Sequence, residues 1–373
     1  MITEFIQPAD PRWRQHLETA PHDFYHLPEY VELCATYEGT TAAAFYAKEG
    51  QSTFLAPLLI RSLPSELGVP CDWYDCVSPY GYPSPLVWPP QADLSPFLDA
   101  FCQAARRRNL ITAFFRLHPL LSLDHRALGR FGQLIRHGQT VCFDLTQSKE
   151  DLWNQVSTNH QRNIKKLVRL GFRISIDEWS RLPDFVNLYH ATMRRVDADD
   201  VYFFSREYFE ELTAKLGDRV HLACVLTERN EIAAAGLFVV TNGIVQYHLG
   251  GTAASHLSLA PSKLMVDYMW RWAQERSHRV LHLGGGVGGT EDSLFHFKAG
   301  FSSARGEFYT YRVVMDEEKN ARLHLTAKSA QRISGLEPCN FFPRYRYPER
   351  QGVSRVGTVG AVPFVGRAKR LEP

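Results

Sequence analysis

The chain has 373 residues, 45% hydrophobic and 12% aromatic, enough to fill two ordinary cores. Lys and Arg number 42 against 40 Asp and Glu, which excludes a polycationic coat for nucleic acid and confines any phosphate contact to a local patch. The seven scattered cysteines, with Cys71 and Cys76 the nearest pair, complete no zinc quartet, so reduced thiols and no metal are expected.

The N-terminus, Met-Ile-Thr-Glu-Phe-Ile-Gln-Pro, lacks a basic and apolar leader, and no stretch approaches the ~20 apolar residues of a membrane span. A soluble, cytoplasmic protein is expected, one that meets any membrane-borne substrate from the inner face. Along the first half, a helix is predicted over 27–37, followed by strands over 42–47 and 53–60. A loop of backbone-punctuating residues then spans 78–84, before an amphipathic helix over 94–108 and a strand over 111–117. A strand over 140–145 and a helix opening near Ser148 mark the expected boundary between two domains.

The second half repeats this order. Helices are predicted over 183–195 and 206–215, then strands over 221–226, 232–240 and 244–249, the last running into Gly250-Gly251. A helix starts at Pro261 and runs to about 276, and a strand over 280–283 enters Gly284-Gly-Gly-Val-Gly-Gly289. Element order, not residue identity, carries the repeat, and a duplicated mixed α/β unit is the simplest architecture that fits. From Lys319 to Pro373 there are 11 Lys and Arg against 3 Asp and Glu, ending in a Gly/Val/Arg stretch expected to be loose.

Three features bear on chemistry. Arg162, Lys165, Lys166, Arg169 and Arg173 fall on one helical stripe with no acid among them, a face suited either to a phosphate-bearing substrate or to plain solvation. The glycines of 284–289 follow the last strand of their unit, where a dinucleotide fingerprint does not sit, so they fit close backbone approach or a wide turn. Lys298, between aromatic residues and just before Gly300, is placed to stabilise an oxyanion or bind a phosphate, or else to snorkel over an apolar stripe. Asp292 reads as a proton acceptor or as the N-cap of a short helix. No nucleophile elbow, zinc-protease helix or Walker sequence is present, which favours a reaction run by positioning and charge stabilisation.

Leu152-Trp-Asn-Gln-Val-Ser-Thr-Asn-His-Gln-Arg-Asn-Ile-Lys-Lys-Leu-Val-Arg-Leu-Gly171, Tyr247-His-Leu-Gly-Gly251, Leu259-Ala-Pro-Ser-Lys-Leu264, His282-Leu-Gly-Gly-Gly286, Phe297-Lys-Ala-Gly-Phe301 and Phe342-Pro-Arg-Tyr-Arg346 together resemble the FemAB-like peptidyltransferases. The resemblance implies an α/β (mixed α+β) fold of two tandem GNAT-like domains, each a mixed sheet with helices on both faces. It implies domains at 1–146 and 147–318, a segment 319–350 returning to the first domain, and a tail over 351–373.

It also implies transfer of an aminoacyl group from tRNA to an amine on a peptidoglycan precursor or small peptide, with no cofactor. The acceptor is then a phosphate-bearing small molecule or a lipid-linked amine, met at the inner membrane face. Lys298 and Asp292 are implied as the catalytic pair. Arg162, Lys165, Lys166, Arg169, Tyr247, Gly250, Gly251, Gly285 and Phe297 are implied to bind substrate. Lys298 and Arg162 are expected to converge on one hollow beside a strand end.

The stretch before Pro261, Ser255-His-Leu-Ser-Leu-Ala260, has no glycine, and Pro261 itself lacks an amide donor, which argues against a coenzyme-A cradle. No long heptad hairpin interrupts 150–300, so the coiled-coil arm of some family members is absent. Two alternatives stay open: an N-acyltransferase with an acyl-CoA or carrier-protein thioester donor, and a non-enzymatic module whose basic face docks RNA or anionic lipid.

Overall fold

The computed structural model describes residues 1–334 and 341–346. In chain order the elements are β1 (Ile2–Ile6), α1 (Pro11–Thr19), α2 (Pro28–Glu38), β2 (Thr41–Glu49), β3 (Ser52–Ser62), β4 (Tyr74–Val77), β5 (Leu86–Trp88), α3 (Ser95–Arg107), β6 (Leu110–Arg116), α4 (His125–Phe131) and β7 (Gln133–Asp144). They continue as α5 (Lys149–Gln155), α6 (Thr158–Arg169), β8 (Arg173–Ile176), α7 (Leu182–Arg195), α8 (Arg206–Leu216), β9 (Val220–Leu226), β10 (Ile232–Thr241), β11 (Ile244–Thr252), α9 (Ser262–Glu275), β12 (Val280–Gly284), α10 (Ser293–Ala299), β13 (Arg305–Val314) and α11 (Glu317–Ser334).

Two compact units form, one from residues 1–137 with the described residues from 308 onward, the other from 138–307. In unit 1 the strand order is β1-β2-β3-β4-β6-β13, with β5 added on β3. Its neighbours pair antiparallel except β4 and β6, which run parallel. Unit 2 has the order β8-β9-β10-β11-β12-β7, again antiparallel throughout except for the parallel pair β11 and β12.

The duplicated order read from the sequence is thus a duplicated sheet. The sequence did not reveal an exchange of last strands. β7 follows the unit 1 strands but belongs to unit 2 from Gly138, and β13 follows the unit 2 strands but belongs to unit 1 from Phe308. The single expected boundary at 146/147 gives way to two crossings, at 137/138 and 307/308, and residues 308–318 fall in unit 1 because β13 pairs with β6 from Thr310↔Arg116 to Val314↔Thr112.

Each core follows from binary patterning. On the unit 1 sheet, Phe45, Ala47, Phe54, Ala56, Ala113 and Phe115 meet Phe97, Leu98 and Phe101 of α3. In unit 2, Val141, Phe143, Val245, Leu281 and Leu283 pack on Met265, Met269 and Trp270 of α9, with Ile164 and Leu167 of α6 completing the layer. Helices α7 and α8 bring a second aromatic set, Phe185, Tyr189, Tyr208 and Phe209, all buried. The first strand of each sheet, β1 and β8, escaped sequence reading. Arg173, expected on the basic helical stripe, instead opens β8, because α6 stops at Arg169 and Gly171, at φ 74°, turns the chain.

After β13 the chain stays with unit 1. Leu323 of α11 joins Leu67, Trp73, Ile111 and Tyr345 in a small core. Asp75, fully buried, accepts from Arg61 Nε at 2.7 Å, from Tyr345 Oη at 3.1 Å and from Arg346 Nε. Although burial alone raises a carboxyl, the two guanidiniums hold Asp75 below the usual carboxylate range. The expected loose tail over 351–373 lies outside the described residues. Among the described residues no helix is long and apolar enough to cross a membrane.

Candidate functional site

The parallel pair in unit 2 is short. β11 and β12 are hydrogen-bonded only from Ile244↔Val280 to Gln246↔His282. Beyond that point β11 runs on to Thr252 along β10, while β12 runs to Gly284 along β7. The two strands part and leave an opening whose arms are 247–252 and 283–286.

Tyr247 lies on the first arm, stacked on Phe238 with ring centroids 4.9 Å apart, and burial pushes its phenol up to about 12. Gly250 is glycine because of that ring: a Cβ there would lie 2.2 Å from the Tyr247 hydroxyl. At Gly251 a Cβ would press on Leu188 O and Thr192 Oγ1 of α7, so both glycines answer packing.

The second arm carries Lys298. Its ammonium donates to the carbonyl of Gly285 at 2.7 Å, and burial brings its pKa down to about 8, opposed by the nearby charge of Asp292. Asp292 itself is occupied, since Oδ1 accepts from Phe295 N at 2.8 Å and Oδ2 from Val287 N at 2.9 Å. The structure therefore makes it the N-cap of α10 and the tie of the glycine turn, not a free proton acceptor.

Phe297 connects α10 to α6. Its carbonyl accepts from His160 Nε2 at 2.9 Å, and its ring meets those of His160 and Phe301. The buried face of α6 is His160, Ile164 and Leu167. At roughly 100° per residue, Arg162, Lys165, Lys166 and Arg169 lie about 140–240° around the helix from His160, on the opposite side, and all four are exposed. The expectation that Arg162 shares a hollow with Lys298 is therefore corrected, because α6 meets α10 through its histidine and turns its guanidinium face away. Lys165 rests over Trp153, 5.8 Å from the ring centroid.

Sequence reasoning missed Lys263. It sits in the first turn of α9, only 8% exposed, and no hydrogen-bond or ion-pair partner reaches its ammonium among the described residues. Burial lowers its pKa, and its charge in turn depresses that of His160, which places it near the α6–α10 junction. Its signal was present as an unpaired lysine in an otherwise apolar helix start, but a single lysine in sequence is indistinguishable from a surface one. The same turn offers few free amides. Lys263 N is bonded to Ala260 O at 3.0 Å, Leu264 N to Pro261 O at 3.0 Å, and position 261 has no N–H.

Residues 154–298 match the family model described as the acetyltransferase (GNAT) domain. This segment is similar to GNAT acetyltransferase domains. The fold as a whole is similar to that of FemX, whose crystal structure superposes with a TM-score of 0.63 at 14% identity, covering 83% of this chain and 97% of that one. A conserved protein of unknown function from Bacteroides thetaiotaomicron VPI-5482 superposes with a TM-score of 0.54 at 12% identity, covering 84% of this chain and 100% of that one. No curated protein matches the chain in sequence. At these identities the likeness speaks for fold, and the two sheets described above are two tandem GNAT-like domains, each a mixed sheet with helices on both faces. The parted β11 and β12 lie inside the matched GNAT-type segment.

Proposed function

We propose that the GNAT-type domain transfers an aminoacyl group from tRNA to an amine carried by a peptidoglycan precursor or a small peptide. The observation that carries this reading is the opening between β11 and β12, with the half-buried Lys298 of α10 bonded to one arm and no amide cradle at α9. A coenzyme-A pyrophosphate is ordinarily held by several free backbone amides at a helix start. Here those of Lys263 and Leu264 are spent on Ala260 and Pro261, which supports a donor of another kind.

The aminoacyl ester enters the opening with its carbonyl oxygen toward Lys298. The acceptor amine attacks, the C–N bond forms, and the ammonium of Lys298 stabilises the tetrahedral oxyanion. As the C–O bond breaks, the ribose oxygen leaves with a proton and the attacking nitrogen loses one. A lysine with a pKa of about 8 is matched to carry that proton from one to the other near neutral pH. Lys263, without a counter-charge, takes a phosphate of the donor. The basic face of α6, directed away from Lys298, contributes to long-range attraction of the polyanion and not to the reacting centre.

The test is label transfer from charged tRNA to candidate amines by the intact protein. Transfer that stops when the tRNA is digested supports the reading. Transfer that persists from acyl-CoA or an acyl-carrier protein after digestion replaces it with the thioester alternative.

A further inference from the structure

A cavity of about 650 Å³ lies at the end of the unit 2 sheet opposite the opening, where β9 and β12 begin and β10 ends. Its lining brings together Lys215 and Arg219 from the end of α8 and the turn after it, Arg276 from the end of α9, and His221 and His278, with Asp218 as the single acid. Trp272, 5% exposed, organises this group. The Arg276 guanidinium rests 4.4 Å over its ring, and the His221 and His278 rings lie 4.6 and 5.9 Å from it. His221 is further fixed by donating Nδ1–H to Asp177 Oδ2 at 2.9 Å.

We propose that this groove binds a phosphate-bearing ligand through Lys215, Arg219 and Arg276, with the two histidines as additional donors. Cationic groups gathered in one concavity repel one another, and an anion relieves that cost. The effect is visible in His278, which burial, His221 and Arg276 together hold below the usual histidine range. The guanidinium is already ordered on an indole, so little rotamer freedom is lost when it forms a bidentate contact. The volume falls in the range of pockets for nucleotide-sized ligands. Trp272 is too buried to stack on a base, so recognition is of phosphate and not of the nucleobase.

The experiment is calorimetric titration of the full chain with inorganic pyrophosphate at low ionic strength, followed by competition with ATP and with a short single-stranded RNA. Saturable pyrophosphate binding is expected, weakened about tenfold or more by Arg276→Gln and independently by the exposed pair Lys215→Gln/Arg219→Gln. Lys48→Gln, at an exposed lysine of β2 in unit 1, leaves it unchanged. The His278 ring resonance of the folded protein moves toward the protonated form on binding. Stronger competition by ATP identifies a free nucleotide as the source of the phosphate; stronger competition by RNA identifies a polynucleotide. Absence of pyrophosphate binding, or an affinity indifferent to both sets of substitutions, overturns the proposal. The outcome is independent of whether the opening at the other end of the sheet transfers an aminoacyl group.

Discussion

In unit 1 the parallel strands β4 and β6 pair at Tyr74↔Leu110, Cys76↔Ala113 and Val77↔Phe114, with a register shift after the first, and the pairing is carried past the strand end by Ser78, whose N–H donates to Phe114 O at 2.8 Å and whose Oγ accepts from Arg116 N at 3.0 Å. In unit 2 the equivalent strands β11 and β12 likewise pair three times, in unbroken register, and then part to follow β10 and β7. Beside the sutured pair, unit 1 builds a buried carboxylate, Asp75, gripped by Arg61, Tyr345 and Arg346. Beside the parted one, unit 2 leaves two lysines, the buried Lys263 and the half-buried Lys298, with no carboxylate bonded to either among the described residues. The same topology thus serves two ends. Unit 1 neutralises its buried carboxylate internally, whereas on the function proposed above the lysines of unit 2 meet an anionic substrate.

The comparison breaks most sharply at Asp75. Asp75→Ala leaves Arg61 and Arg346 buried and unpaired, and a loss of about 3–5 kcal/mol is expected in urea unfolding. Because the folded pKa of Asp75 lies below its ordinary value, its contribution to stability is present above that value and is lost as pH falls through the folded pKa. Acid titration of wild type against the variant checks the sign.

Next is Lys298→Met, for which transfer is expected to fall about 10²–10³-fold, the usual cost of removing an oxyanion donor. Unlike Asp75→Ala, this change should not destabilise. Lysine 298 titrates in the folded chain at about 8, below its unfolded value, so stability rises with pH between about 8 and the ordinary lysine range. At neutral pH the variant sheds a partly desolvated charge, and its melting temperature should hold or rise. A melting temperature that drops with activity would mark Lys298 as structural. In the wild type, the transfer rate should decline as pH passes about 8, because the ammonium is the working form.

A smaller effect is expected at Gly250. Gly250→Ala sets a methyl against the Tyr247 hydroxyl and should cost about 1–3 kcal/mol by overpacking, read in thermal unfolding. Lys263→Met should raise KM for the donor about tenfold while kcat changes little, since the residue is assigned to binding and not to the reacting bond. The smallest is Lys166→Glu on the exposed face of α6, which should leave stability within about 0.5 kcal/mol and weaken donor association only at low salt.

The sheets were largely legible because their strands carry a period-2 pattern bounded by turns. β2, β3, β9, β10 and β11 were found within a few residues of where they lie. β1, β4, β5, β8 and β13 were not: β1 and β8 are short and half exposed, with β8 masked by the basic run before it, and β4 and β5 are only four and three residues long. Lys298 stood out in the sequence through its aromatic neighbours and Gly300, and in the structure its ammonium is bonded to the Gly285 carbonyl. Asp292 was legible as an N-cap, which is how it is used. Arg162 was misplaced because a charge stripe shows which residues share a face but not what that face looks toward. His160, two residues away, is the one that meets α10.

By itself the sequence determined the element order, its duplication and the lack of a glycine cradle before α9, since each of these is a property of residues adjacent in the chain. Tertiary structure alone decided the exchange of β7 and β13, the parting of β11 and β12, and the unneutralised burial of Lys263. Strand partners and counter-charges are supplied by segments distant in sequence, and local pattern carries no record of which distant segment arrives.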